Sequence, residues 1–183
     1  MAGNSEVETL KLRIRPATRA DIPAMVALAR SSATAPQWSA AQYEQMIALP
    51  KQEECLGVAG GTPTPRWRHE AGARHFTRVA MVIEERSVLQ GFAVAREIDH
   101  EWELENIAVA SSARRRGLGA QLLGEFLEFA RRQGAKSVYL EVRESNRAAR
   151  SLYVKCAFIE SGHRKSYYSD PEEDAILYRL DFA

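Results

Sequence analysis

Residues 102–123 read WELENIAVASSARRRGLGAQLL, and the fold is decided in their middle. Trp102 to Val109 has the early alternation and β-branched content of a strand. Leu118, Leu122 and Leu123, continued by Phe126, Leu127 and Ala130, recur at the helical period and make one apolar face. Between strand and helix lie Arg114, Arg115 and Arg116, then Gly117, Leu118, Gly119 and Ala120. A strand, a basic glycine turn and a helix in that order make an anion cradle. The first helical turn has unpaired N–H groups and the positive end of the helix dipole. Glycine there lets a phosphate come close to the backbone.

Spacing decides which phosphate. A nucleoside triphosphate loop needs Lys-Ser or Lys-Thr after its last glycine. Gly119 and Gly124 have the separation, but Glu125 and Phe126 follow. A dinucleotide fingerprint needs a small third residue, and Leu122 stands there after Gly117 and Gly119. On local pattern alone, a basic surface turn touching RNA stays open.

Working outward, Leu10, Leu12 and Ile14 alternate with Lys11, Arg13 and Arg15, a half-buried strand ended by Pro16. Thr18 with Asp21, and Ser39 with Gln42, have capping-box spacing and predict two helices. Residues 50–78 are rich in Gly and Pro without a period and read as a long loop or insertion, in which Trp67 and Phe76 are candidate anchors. VAMVIEE and SVLQGFAVAREI predict a hairpin turning near Arg86. Gly134 sits where the helix after the cradle needs a C-terminal cap. KSVYLEV predicts a strand, NRAARSLYVKC a helix and AILYRLDF a closing strand. The sum is one α/β (α+β) domain over residues 1–183. A central mixed, mostly antiparallel twisted sheet is flanked by helices.

The cradle, Arg-x-x-Gly-x-Gly/Ala after a strand ending NIAV, resembles the pyrophosphate motif of the GNAT superfamily of N-acetyltransferases. LEVRESNRAARSLYVKCAF and YYSDPEEDAILYRL resemble signatures of its RimI group, the ribosomal-protein alanine N-acetyltransferases. The likeness runs from Val79 to the end and more loosely over the first two helices. It implies an acyltransferase using acetyl-CoA, with a peptide or protein N-terminus, such as that of a ribosomal protein, as acceptor. The amides of Arg115 to Ala120 would hold the pyrophosphate. Ile107, Ala108 and Val109 would pair with the pantetheine arm as an added strand, and Asn146 would contact the cofactor. A backbone N–H near Val109 would serve the oxyanion. Tyr167 and Tyr168 match the tyrosines that shape the peptide groove, and Asp174 lies in the matching acidic segment.

Acetyl transfer to an amine needs a base, because amines of pKa ~8 to ~10.4 are largely protonated at neutral pH. Glu141 matches the family's proton acceptor; the plain alternative is an exposed pair with Arg143, which shares its face. Tyr153 matches the proton donor; the plain alternative is a core tyrosine. Ala157 departs from the family, which has a glycine there, so the helix bearing Tyr153 is expected to end differently.

Composition narrows the partners. Formal net charge is +1 over 183 residues, so no bulk basicity draws the chain to nucleic acid. No apolar run is long enough to span a membrane, and no secretory signal is seen, which predicts a cytoplasmic protein. Cys55 and Cys156 are too few for a disulfide scaffold, and Cys156 has no adjacent histidine to make it a nucleophile. The histidines lack metal-ligand spacing, so no metal is expected. A monomer or weak homodimer is expected. Rival readings are acetylation of a lysine, polyamine or other small amine, a non-catalytic CoA-binding module, and an RNA-binding protein.

Overall fold

Alternation and helical period become the expected elements. A computed structural model describes residues 12–32, 34–47 and 77–183. The strands are β1 (Leu12–Pro16), β2 (Thr77–Glu85), β3 (Val88–Ile98), β4 (Glu101–Val109), β5 (Ser137–Arg143), β6 (Ile159–Ser169) and β7 (Glu172–Asp181). The helices are α1 (Ile22–Arg30), α2 (Ala40–Ile47), α3 (Leu118–Arg132) and α4 (Arg147–Lys155). One seven-stranded sheet has the order β1-β2-β3-β4-β5-β7-β6. Its neighbours run antiparallel except β4 and β5.

Two expectations need correction. β6 is a strand that the sequence reading did not predict. Thr77 and Arg78 belong to β2 rather than to the loop at 50–78. The rest of that loop, with Trp67 and Phe76, and Cys55 lie outside the described residues.

Each face of the sheet is buried. On one side Trp102, Leu104, Val138, Leu140 and Tyr178 pack with Leu122, Leu123 and Phe126 of α3 and Tyr153 of α4. On the other, Val82, Phe92 and Val94 pack with Met25 of α1 and Tyr43 of α2. Each such fully buried aliphatic or phenyl side chain contributes about 1.5–3 kcal/mol, so the sheet is clamped from both sides.

The caps hold as the spacings predict. Asp21 accepts from the Thr18 N–H at 2.7 Å and hydroxyl at 2.9 Å. The same carboxylate pairs with Arg15, which also reaches Glu84 and so ties β1 to β2. Those hydrogen bonds, led by Arg15, pull the Asp21 carboxyl down to about 2. At α2, Gln42 accepts from the Ser39 N–H and donates its own N–H to the Ser39 hydroxyl. Gly134 takes φ +78° after α3, and the Gly134 and Ala135 N–H groups close back on Arg131 and Ala130 in a Schellman motif.

The feature that positions everything below is a fork. β4 and β5 pair over only four positions, from Glu101↔Ser137 to Leu104↔Leu140. Glu105 is then an extra residue against β3, where Val94 faces Asn106 and Ala95 faces Leu104. Such a bulge bends its strand. Beyond it Ile107, Ala108 and Val109 stay on β3, while Glu141, Val142 and Arg143 stay on β7. The two strands part, each leaving a free edge.

Candidate active site

The glycine turn forms as a nest of N–H groups. A short 3₁₀ turn, Ser111–Ala113, leaves β4, and Arg115 and Gly117 then take φ +65° and +81° before α3 begins at Leu118. From Arg115 to Ala120, successive N–H groups have no main-chain acceptor among the described residues. Left-handed residues alternating with such donors turn them inward on an anion. A Cβ on Gly117 would meet nothing within 4 Å, so the turn needs glycine there for its conformation and not for space.

The arginine side chains have other employment. Arg116 pairs with Glu85 at 2.6 Å. Arg114 donates to the Val109 carbonyl at 3.1 Å and reaches the Ser32 hydroxyl. For Arg115 no side-chain partner is found among the described residues. The cradle is therefore backbone.

Its neighbour is the free edge of β4. The Ala110 N–H donates toward β3, to Gln90 at 2.8 Å. Strand alternation then turns the Val109 N–H into the fork, while its carbonyl accepts from Arg114. An extended amide-bearing chain fits such an edge, and a diphosphate fits the nest beyond it. A coenzyme with both parts suits these groups, with Ile107, Ala108 and Val109 along the arm. Asn146 caps α4, accepting from the Ala149 N–H at 3.2 Å, and its amide nitrogen has no partner among the described residues.

Glu141 is the first residue of β5 beyond its pairing with β4. Tyr139, Glu141 and Arg143 share one face while Val138, Leu140 and Val142 are buried on the other, as the sequence alternation gives. Glu141 does not pair with Arg143. Its partner is Arg164 of β6, at 3.0 Å. Interaction with the Glu141 carboxylate, together with burial, holds the Tyr167 phenol above its usual range. Arg143 instead pairs with Glu173, donates to the Asp170 and Pro171 carbonyls, and lies 4.1 Å over the Tyr168 ring. Tyr167 and Tyr168 meet edge to face at 5.1 Å. Arg96, Glu103, Tyr139, Glu141, Arg164 and Tyr167 thus line a groove of about 360 Å³.

Tyr153 approaches from the opposite face. Its ring is 5% exposed and packs 5.9 Å from Phe158 and from Tyr178, the residue opposite Leu140 at the last paired position. No hydrogen bond to its hydroxyl is found among the described residues, and the hydroxyl is not one of the fully buried unpaired polar atoms. Burial pushes the phenol well above its usual value, so the proton stays on at neutral pH. Glu141 and Tyr153 therefore lie on opposite faces of the sheet.

Arg164 and the clamp role of Arg143 escaped the sequence reading. Arg164 is one basic residue in the run His163-Arg164-Lys165 on a strand with no apolar alternation, and nothing local marks it. The acidic segment is engaged internally. Asp174 accepts from the Ser166 N–H, Glu172 from the Ser166 hydroxyl, and Glu173 from Ser145 and Arg143. Cys156 is half-buried, and burial pushes its thiol up, away from nucleophilic use.

A backbone anion nest beside an open strand edge, with a carboxylate and a phenol on opposite faces of the sheet, is an arrangement that suits an acyl-group transferase. Comparison with known proteins agrees: residues 23–158 match the Acetyltransferase (GNAT) family, and the chain belongs to that family. It is therefore an acetyltransferase. The [ribosomal protein bS18]-alanine N-acetyltransferase of Haemophilus influenzae is 32% identical over 144 residues, 77% of this chain and 93% of that protein. The crystal structure of the Escherichia coli enzyme of that ribosomal-protein-alanine type superposes with TM-score 0.70 at 25% identity, covering 94% of this chain and 95% of the other. A putative streptothricin acetyltransferase of Bacillus anthracis, solved with acetyl coenzyme A, gives TM-score 0.54 at 25% identity over 58% of this chain and 63% of that one. Other curated relatives match over part of their length, the chain spanning 26% of one and 64% of another. No described helix is long and apolar enough to cross a membrane.

Proposed function

We propose that this chain transfers acetyl from acetyl-CoA to the N-terminal α-amino group of a protein, of the ribosomal-protein alanine type. The observation that carries the reading is Glu141 at the first open position of the fork, on a groove that it lines with Arg164 and Tyr167. The name of the Haemophilus influenzae relative supports the acceptor class. Cytoplasmic action fits the reading, since free thiols such as Cys156 persist there.

Acetyl-CoA supplies the acetyl group as a thioester. The N–H groups of Arg115 to Ala120 would hold its diphosphate, and the edge Ile107–Val109 its amide arm. Glu141 takes the proton that the attacking amine must lose, directly or through a water. The Val109 N–H faces the fork, where the carbonyl oxygen gains charge as the C–N bond forms. Tyr153 gives its proton to the sulfur as the C–S bond breaks. Its raised pKa weakens it as an acid, but a departing thiolate held against the same apolar side chains would be desolvated too, and its own pKa would rise for the same cause. Tyr167 and Tyr168 wall the acceptor groove.

Mass spectrometry of a peptide panel with acetyl-CoA tests this, using free and blocked N-termini, lysine-containing controls and polyamines. Product at free α-amines, with kcat of Glu141→Gln lower by about 10²–10⁴, is the expected outcome. Product on lysine or polyamine keeps the chemistry and removes the acceptor assignment.

A further inference from the structure

Arg143, Arg96 and Arg164 share the face that carries Glu141, and the three are held very differently. Arg143 has 15% of its side chain exposed and is fixed by Glu173, two carbonyls and the Tyr168 ring. Arg96 is shared between Glu103 and Glu105. Among the described residues Arg164 has one ion pair, to Glu141, a looser approach of 5.2 Å to the Tyr167 ring, and 52% of its side chain exposed. It sits on an edge strand where the ladder to β7 breaks, between Arg164 and Tyr168. It is the weakly held cation of the three, and it occupies the carboxylate that an acceptor must reach.

We infer that Arg164 is a specificity-determining residue that covers Glu141 in the free enzyme and is exchanged for the ammonium of the incoming acceptor. The inference rests on the reading of Glu141 as the base. An α-amine with pKa near ~8 arrives mostly as a cation at neutral pH. It replaces one positive charge by another on Glu141, so the carboxylate is never left unpaired. A neutral nucleophile such as water or an alcohol brings no charge and must break the Arg164 pair without compensation. The groove therefore admits cationic acceptors and protects the thioester from hydrolysis. Acetylation removes the charge from the nitrogen, and Arg164 then reclaims Glu141 as the product leaves. The arginine acts through Glu141 and touches no reacting atom; it is a positioning residue.

Steady-state kinetics of Arg164→Ala, Arg164→Lys and Glu141→Gln test this, with a free-α-amine peptide at saturating acetyl-CoA and low ionic strength. Arg164→Ala is expected to lower the peptide KM by about two- to fivefold, the range of a partly exposed ion pair. Its kcat should stay within about twofold and its KM for acetyl-CoA should not move, because the arginine is already displaced when chemistry occurs. Arg164→Ala should also hydrolyse acetyl-CoA faster without acceptor, and Arg164→Lys, which keeps the charge, should return both values most of the way. An unchanged or raised peptide KM in Arg164→Ala overturns the exchange, as does a kcat loss comparable to that of Glu141→Gln. A Glu141→Gln enzyme as fast as the wild type would instead remove the base reading beneath it, whatever Arg164 does.

Discussion

The two sides of the fork are built from different material. On the side of β4 and α3 the recognising groups are main-chain: an open strand edge, a run of free N–H groups and one left-handed glycine. The arginines there turn to Glu85 and to the Val109 carbonyl. On the side of β5, β6 and β7 the groups are side chains, and they form a connected set: Glu141 with Arg164 and Tyr167, Arg143 with Glu173 and Tyr168. Main-chain recognition suits a coenzyme that never changes, since its geometry comes from the fold. Side-chain recognition can be altered one residue at a time, which suits an acceptor that differs between relatives.

The difference can be attacked from either end. The largest effect is expected where a side chain carries chemistry. Tyr153→Phe keeps the ring against Phe158 and Tyr178 and removes a hydroxyl that has no described partner. Thermal stability should change little, while kcat falls by about 10²–10³, the range of a lost general acid. A mutant that keeps its rate would return Tyr153 to the core. The next effect tests the backbone side by a matched pair. Gly117→Val forces a branched side chain into φ +81°, which costs about 2 kcal/mol. It should raise the KM for acetyl-CoA about ten- to thirtyfold. Arg116→Ala, one residue away, should move the same KM by less than about twofold. If the arginine change proves the more damaging, the cradle is not backbone.

The same contrast explains what the sequence could reveal. β1, β4, β5 and β7 bury one face and alternate, β2 and β3 are buried on both faces and read as apolar runs bounded by a turn, and the helices carry their period and caps. The nest was legible because glycine and a helix start are local signals. β6 was not, because it is an edge strand, exposed along almost its whole length, with Gly162 and two register breaks. With nothing to bury it shows no pattern. The partner of Glu141 was hidden for another reason. Sequence spacing offers Arg143, two residues on and on the same face, but β7 lies between β5 and β6 and delivers Arg164 from 23 residues away. Pairings made across a non-local ladder leave no trace in a local window.

The smallest expected effect concerns two helix ends that close alike with different residues. After α3, Gly134 takes the left-handed position that glycine favours. After α4, Ala157 takes it, at φ +66°, and the Ala157 and Phe158 N–H groups return to Val154 and Tyr153 in the same Schellman pattern. The expectation that alanine would end this helix differently is therefore overturned. The reason lies one residue further on. Phe158 is 3% exposed and stacks on Tyr153, the apolar contact that accompanies this motif, and its burial outweighs the strain at Ala157. Left-handed alanine costs about 1–2 kcal/mol, and glycine returns part of that through the greater freedom of its unfolded chain, about 0.4–1 kcal/mol. Ala157→Gly should therefore stabilise the protein by about 0.5–1 kcal/mol, read as a melting temperature higher by about 1–4 °C. Because the cap holds Phe158 against Tyr153, kcat should stay unchanged in that variant. A destabilised Ala157→Gly would mean that α4 ends without strain and that the alanine is held there by something other than Phe158.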